Sequence, residues 1–199
     1  MRNIYHDKKQ KKYFNNLNIS KNLLDHFIKK RFSNKIKLFY TNNSDVKLAN
    51  NLKKNYTKKS FINKFSCQKK YDRIILVALH AFSDAPHGAG YDLMFTDYYS
   101  FYTETLNEIS KSKENILFII RPHPASKIYG EKGIAENLLK KRHFKNIILC
   151  PKITTQNLIQ ICDTVITMKG TIGLEFAVAG KKPITCGYPA YSNMGISKN

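Results

Sequence analysis

The run MKGTIGLE, from Met168 to Glu175, sets a cation, two glycines and a threonine at the start of an apolar helical pattern. Helix starts leave backbone N–H groups without intrahelical acceptors, and the positive end of the helix dipole lies there too, so such a start can face a phosphate. Gly170 and Gly173 would let the chain approach a ligand closely, and Thr171 would add a hydroxyl donor. Lys169 precedes the glycines, so the run is not a Walker A loop. Glu175, read as part of the first turn, can accept hydrogen bonds from a ribose diol or merely complement the dipole; spacing alone leaves both open.

A second run is RPHPASK, residues 121–127. His123 stands between two prolines, which restrict the backbone on either side. A rigid imidazole there can donate to a pyrophosphate oxygen, and Arg121 can pair with the same group. Ser126 and Lys127 follow at once and join the candidate set; the plain alternative is a histidine that satisfies a local carbonyl. The third run, HAFSDAPHG at 80–88, holds His80, Asp84 and His87. Their spacing matches no standard metal site, so no metal is expected and the trio is read as loop-ordering or substrate contacts, with Asp84 and His87 as the candidates for a catalytic role.

These runs need elements to hold them, and the chain supplies an alternating pattern. Arg73 to Leu79 (RIILVAL) is a continuous apolar run of buried-strand length. Asp97 to Ser110 reads as an amphipathic helix, in which Tyr98, Tyr99, Phe101 and Tyr102 are packing residues. Asn115 to Ile120 is a strand, Glu131 to Arg142 a helix and Asn146 to Leu149 a strand. Thr154 to Ile161 is a short helix with Thr154 or Thr155 as N-cap, Thr164 to Thr167 a strand, Gly170 to Ala179 a helix ended by Gly180, and Pro183 to Cys186 the last strand. Strands separated by helices imply an α/β fold with a doubly wound parallel sheet of about five strands. Ligands bind such sheets at the carboxyl ends of the strands, where the three runs fall together with a fourth polar and glycine-bearing loop after the last strand, Gly187 to Gly195 with Tyr191 within it.

Composition bounds the rest. With 42% hydrophobic residues in 199, the chain can build a core. No apolar run approaches the roughly 18 residues of a membrane span, and the start has no secretory pattern, so a cytoplasmic location is expected. Four scattered cysteines (Cys67, Cys150, Cys162, Cys186) suggest core residues and not a zinc or disulfide framework. The net charge of +20 is uneven: residues 1–70 carry 19 Lys and Arg against 3 acids, and residues 71–199 carry 15 against 11. Apolar clusters at helical spacing (Leu23, Leu24, Phe27, Ile28; Val46, Leu48, Ala49, Leu52) suggest two or three short helices in the basic third. The division is therefore a basic helical segment, 1–70, and a Rossmann-like domain, 71–199. The basic third favours loose contact with anionic lipid or nucleic acid.

HAFSDAPHG, RPHPASK, DTVITMKGTIGLEFAVAGKKPITCG and YSNMGI, in that order, resemble the C-terminal nucleotide-binding half of bacterial capsule and surface-polysaccharide glycosyltransferases of the GT-B fold, over about residues 71–196. The resemblance implies a nucleotide-sugar donor (CMP-, UDP- or CDP-linked), a glycan acceptor and no metal cofactor. It also implies that His123 contacts the donor phosphates, that Gly170, Thr171 and Gly173 form the phosphate-binding helix start, and that Glu175 lies by the ribose. Members carry an N-terminal Rossmann-like lobe where this chain has 70 lysine-rich residues, and they continue beyond YSNMGI. The expectation is thus a donor half, either a fragment of a split gene or one subunit of a pair with the missing lobe as a separate chain, with little transferase activity in isolation and peripheral contact with the inner face of the cell membrane. The competing readings are a glycerophosphate or phosphopolyol transferase, a nucleotide-sugar epimerase, or a non-catalytic basic module for nucleic acid or anionic membrane.

Overall fold

The structure, a computed structural model, describes residues 55–65, 70–84, 94–141, 144–189, 191 and 194–197. The helical clusters at 23–28 and 46–52, Cys67 and His87 lie outside the described residues. In chain order the elements are α1 (Lys58–Phe65), β1 (Arg73–Ala78), α2 (Tyr98–Lys111), β2 (Ile116–Arg121), α3 (Ile134–Lys141), β3 (Ile147–Leu149), α4 (Thr155–Ile161), β4 (Thr164–Thr167), α5 (Thr171–Val178) and β5 (Ile184–Thr185). The five strands form one sheet in the order β3-β2-β1-β4-β5, and every pairing is parallel. The expected α/β parallel sheet is therefore present. β1 is central, with Ile75 opposite Phe118 on β2 and opposite Thr164 on β4.

β1 can be central because its side chains from Ile74 to Ala78 are all apolar and all buried. A two-residue period sends them alternately to the two faces of the sheet. Ile74, Leu76 and Ala78 pack in a core with Phe61 of α1, Leu158 and Ile161 of α4 and Phe176 of α5. Ile75 and Val77 pack on the other face with Tyr98, Phe101, Tyr102 and Leu106 of α2 and Ala135 of α3. Of the four aromatic residues expected to pack, Tyr99 is the exception: it is 43% exposed and meets Phe82 edge-on.

Local chemistry terminates the helices where expected. The Asp97 carboxylate accepts the Ser100 N–H at 2.6 Å and caps α2. Thr154, not Thr155, caps α4 by accepting the Asn157 N–H at 3.1 Å. α5 ends at Gly180, whose φ of +77° suits glycine. There the Gly180 and Lys181 N–H groups reach back to the carbonyls of Ala177 and Phe176.

Two boundaries differ from expectation. α3 starts at Ile134 and not at Glu131, because Gly130 and Gly133 hold φ of +73° and +90°, conformations that turn the chain out of a helix. α5 starts at Thr171 with Gly170 as N-cap, so Glu175 is its fifth residue and lies beyond the first turn.

The chain at 55–65 belongs physically to the sheet's packing. Asn157, buried in α4, accepts the Tyr56 N–H and donates to the Tyr56 carbonyl, both at 2.8 Å. Lys58 pairs with Asp163 at 2.7 Å, and that carboxylate also accepts the Ile74 N–H.

Candidate functional site

The chain builds β1, β2 and β3 outward and then crosses back to lay β4 against the other side of β1. The order therefore reverses between β1 and β4, and the loops that leave those strands diverge to opposite faces and open a crevice. A cleft of about 380 Å³ occupies this place. Its walls come from His80 after β1, the Arg121 to Pro124 stretch after β2, Thr155 at the start of α4, and Thr167, Lys169 to Ile172 and Glu175 around the start of α5.

Of the residues singled out in the sequence, Arg121, His123, Lys169, Gly170, Thr171 and Glu175 all line this cleft. Glu175, placed a turn into the helix, faces the cleft from a position where complementing the dipole no longer explains it. Ser126 and Lys127 stand outside the lining. Ser126 shapes the turn behind His123, its N–H donating to the His123 carbonyl at 3.0 Å, and Lys127 is exposed. Asp84 is exposed beside the cleft, near enough to act electrostatically on both His80 and His123.

Gly173 is buried and outside the lining, and its missing side chain serves a different purpose from the one expected. A Cβ there would overlap the Tyr191 hydroxyl and lie 3.1 Å from its Cζ. Tyr191 fills that space and donates to the Gly170 carbonyl at 2.6 Å. Close approach is thus to a tyrosine of the same chain. Gly170 is similarly constrained, since a Cβ would come within 2.7 Å of Thr167 Oγ1.

The electrostatics of the lining favour an anion. Arg121 and Lys169 are cationic, and α5 aims its N-terminus at the cleft, where the Thr171 and Ile172 N–H groups have no intrahelical acceptor. Arg121 is oriented by a bond from its Nη1 to Thr155 Oγ1 at 2.9 Å. Two buried side-chain polar atoms without a hydrogen-bond partner, His80 Nδ1 and Thr167 Oγ1, belong to residues of this same lining. His123 Nδ1 accepts the Ala125 N–H at 3.2 Å, so in the neutral ring the proton sits on Nε2, leaving that nitrogen as a donor.

Both imidazoles are neutral at pH 7. Burial, with His123 and Lys169 nearby, drives His80 down to about 4 against an opposing pull from Asp84. Burial also lowers His123, assisted by Arg121 and opposed by Asp84 and Glu131. His80 stacks on Tyr98 with ring centroids 4.3 Å apart, which holds it in its buried position. A histidine whose folded pKa lies below its unfolded value contributes stability that is full above the unfolded value and is withdrawn as the pH falls toward the folded one. Unfolding free energy is therefore expected to decline from pH 6.5 to about 4, the interval between the ordinary and the folded value of His80. Urea titrations across that interval check this, and a flat profile would show solvated imidazoles.

Sequence reasoning missed the part that three residues play in organising the site. Thr155 orients Arg121, and Tyr191 fills the space at Gly173. Glu131 carries a buried carboxylate that accepts three hydrogen bonds from Phe82 and Ser83. Its one sequence signal is an acid bracketed by Gly130 and Gly133, a pattern at odds with a helix start. Among the described residues no three His, Cys, Asp or Glu side chains cluster as metal ligands, and no helix is long and apolar enough to cross a membrane.

Two solved structures illustrate what the chain is similar to. The Thermosulfurimonas dismutans KpsC beta Kdo 2,4 transferase matches at 18% identity and a TM-score of 0.46, over 65% of this chain and 38% of that one. The beta Kdo 2,7 transferase of KpsC from the same organism matches at 21% identity and a TM-score of 0.42, over 88% of this chain and 50% of that one. The chain thus spans at most half the length of either structure. No curated protein matches it. The model of one family, described as capsule polysaccharide biosynthesis protein, covers residues 4–199. With the ordered motifs at the strand ends, that near-complete match places the chain in the capsule polysaccharide biosynthesis protein family.

Proposed function

We propose that the chain is the donor-binding half of a glycosyltransferase that builds capsule or surface polysaccharide, and that the cleft between β1 and β4 holds the phosphate of a CMP-, UDP- or CDP-linked sugar. The observation that carries this reading is the convergence of Arg121, His123, Lys169 and the N-terminus of α5 on one cleft at the point where the strand order reverses.

Breaking the bond between sugar and phosphate leaves negative charge on the nucleotide. Donors fixed in advance around that charge stabilise the transition state more than the ground state. Arg121 is already oriented by Thr155 and the His123 tautomer by Ala125, so neither needs to reorganise as the charge appears. Glu175 reaches the ribose in this scheme, and the sugar points out of the cleft toward an acceptor glycan. Asp84 and His87 are the proposed catalytic groups. The basic stretch 1–70 makes peripheral contact with an anionic membrane surface in this reading. Sedimentation with anionic and neutral vesicles at two salt concentrations tests the membrane contact.

The donor reading is tested by calorimetric titration of the chain with CMP, UDP and CDP. His123→Ala is expected to weaken the nucleotide that binds by about 10- to 150-fold, the range for one strong hydrogen bond to a charged group. Heat with none of the three nucleotides would overturn the reading. Labelled nucleotide sugar is expected to turn over little on this donor-binding half alone, because the alignment of two substrates contributes as much as about 7 to 11 kcal/mol to the rate.

A further inference from the structure

The loops after β1 and β2 lie side by side on one face of the sheet at the rim of the cleft, and the side chain of Glu131 bonds one to the other. Glu131 is 7% exposed, and among the described residues no cation lies within ion-pair distance of its carboxylate. A carboxylate taken out of water in this way is costly unless its lone pairs are satisfied. Here Oε2 accepts the Phe82 N–H at 2.8 Å, and Oε1 accepts the Ser83 N–H at 2.6 Å and the Ser83 hydroxyl at 2.5 Å. Burial alone would raise this carboxyl, but the bonds from Ser83 and Phe82, with His123 nearby, hold it below the usual range, so it is ionised at neutral pH.

Every donor comes from one place, Phe82 and Ser83, two of the three residues that separate His80 from Asp84. The backbone of Glu131 is tied just as closely to the other loop, for its N–H donates to the Ser126 carbonyl at 2.8 Å and the Ser126 N–H donates to the His123 carbonyl at 3.0 Å. The glycines on either side, at positive φ, free Glu131 from α3 and turn it toward the β1 loop. His80 and Asp84 on one side are thereby fixed relative to His123 on the other through five hydrogen bonds that all pass through residue 131 or its neighbour in the turn.

We infer that Glu131 is the positioning residue of the site, clamping the β1 loop so that His80 is presented to the same ligand phosphate as His123 and Asp84 is held beside the two imidazoles. The inference rests on the donor-binding reading above for its ligand, but not for its geometry. It requires a carboxylate and not merely a side chain of that shape. Both oxygens accept here, and an amide has only one acceptor, so in a glutamine one position would turn an NH₂ group against a backbone N–H.

The test compares Glu131→Gln, Ser83→Ala and Tyr102→Phe with the unaltered full chain. Tyr102→Phe is a control that loses one buried hydrogen bond, to the Ala135 carbonyl, while keeping the ring that stacks on Phe82. Three quantities are measured: the thermal midpoint, the NMR titration of the His123 imidazole, and the calorimetric affinity for CMP, UDP and CDP. His123 is faced by Asp84, Glu131 and Arg121, and the two acids raise its pKa while Arg121 lowers it. Glu131→Gln removes one acid and releases the loop that carries the other, so His123 is expected to titrate at lower pH than in the unaltered chain. The affinity for the nucleotide that binds is expected to fall about tenfold, the loss of roughly one charge-assisted contact. Ser83→Ala keeps both backbone bonds and should weaken binding by less than about threefold, and Tyr102→Phe should lower the midpoint alone. An unmoved His123 titration in a folded Glu131→Gln chain overturns the inference whatever the nucleotides do. If no nucleotide binds even the unaltered chain, the donor reading fails, while an unmoved His123 titration would still overturn the clamp.

Discussion

Gly173→Ala is expected to destabilise the protein by roughly 2 to 4 kcal/mol and to cost most of its nucleotide affinity, although the change adds a single methyl group. The methyl would overlap the Tyr191 hydroxyl and press on its ring at 3.1 Å from Cζ and 3.4 Å from Cε2. Tyr191 is 5% exposed, so its ring cannot swing into solvent without opening the packing around it. Displacing it also breaks the bond to the Gly170 carbonyl, which holds the N-cap of α5 in place. A double-mutant cycle with Tyr191→Phe checks the cause. The phenylalanine relieves the overlap with the hydroxyl, so the double variant should be less destabilised than the sum of the two single ones, by at least about 0.5 kcal/mol. Strictly additive losses would mean that residues 173 and 191 do not touch.

Phe61→Ala is expected to cost about 3 to 5 kcal/mol, the range for truncating a fully buried phenylalanine. Phe61 has no exposed surface and packs among Ile74, Leu76, Leu158 and Phe176, while its ring meets Tyr56 edge-on and Phe65 at 4.8 Å. The residue comes from the lysine-rich third of the chain, so its loss measures how far the α/β unit depends on that segment. A chain cut at residue 70 would lose Phe61 together with the hydrogen bonds between Tyr56 and Asn157 and the Lys58–Asp163 pair. Urea unfolding of Phe61→Ala gives the number directly, and a loss below about 1 kcal/mol would show that helix α1 is not docked in solution.

Much of the fold was legible because its signals are local. The apolar run of β1, the Asp97 and Thr154 caps and the Gly180 stop each depend on a few adjacent residues, and each occurs within a residue or so of its expected place. The errors are also local in form but not in cause. Glu131 has good helix propensity, yet the backbone angles at Gly130 and Gly133 and the unpaired N–H groups of a distant loop claim it. Gly173 was legible as a place where something comes close, without any sign of what, since an absent side chain names no partner.

From sequence alone come the alternation of strand and helix, the parallel class of sheet that it requires, and the gathering of cations, histidines and glycines just after strands. All three follow from the periodicity of side chains and the steric limits of the backbone. The tertiary structure alone decided that β4 lies beside β1, which brings His80, Thr167 and Gly170 to one spot and opens the cleft at that edge. It alone placed Tyr191 against Gly173, Glu131 against Ser83, and Asn157 against Tyr56 from 101 residues away. Such contacts are selected by the packing of the whole core and the need to satisfy buried polar groups, and no short stretch of sequence contains both partners.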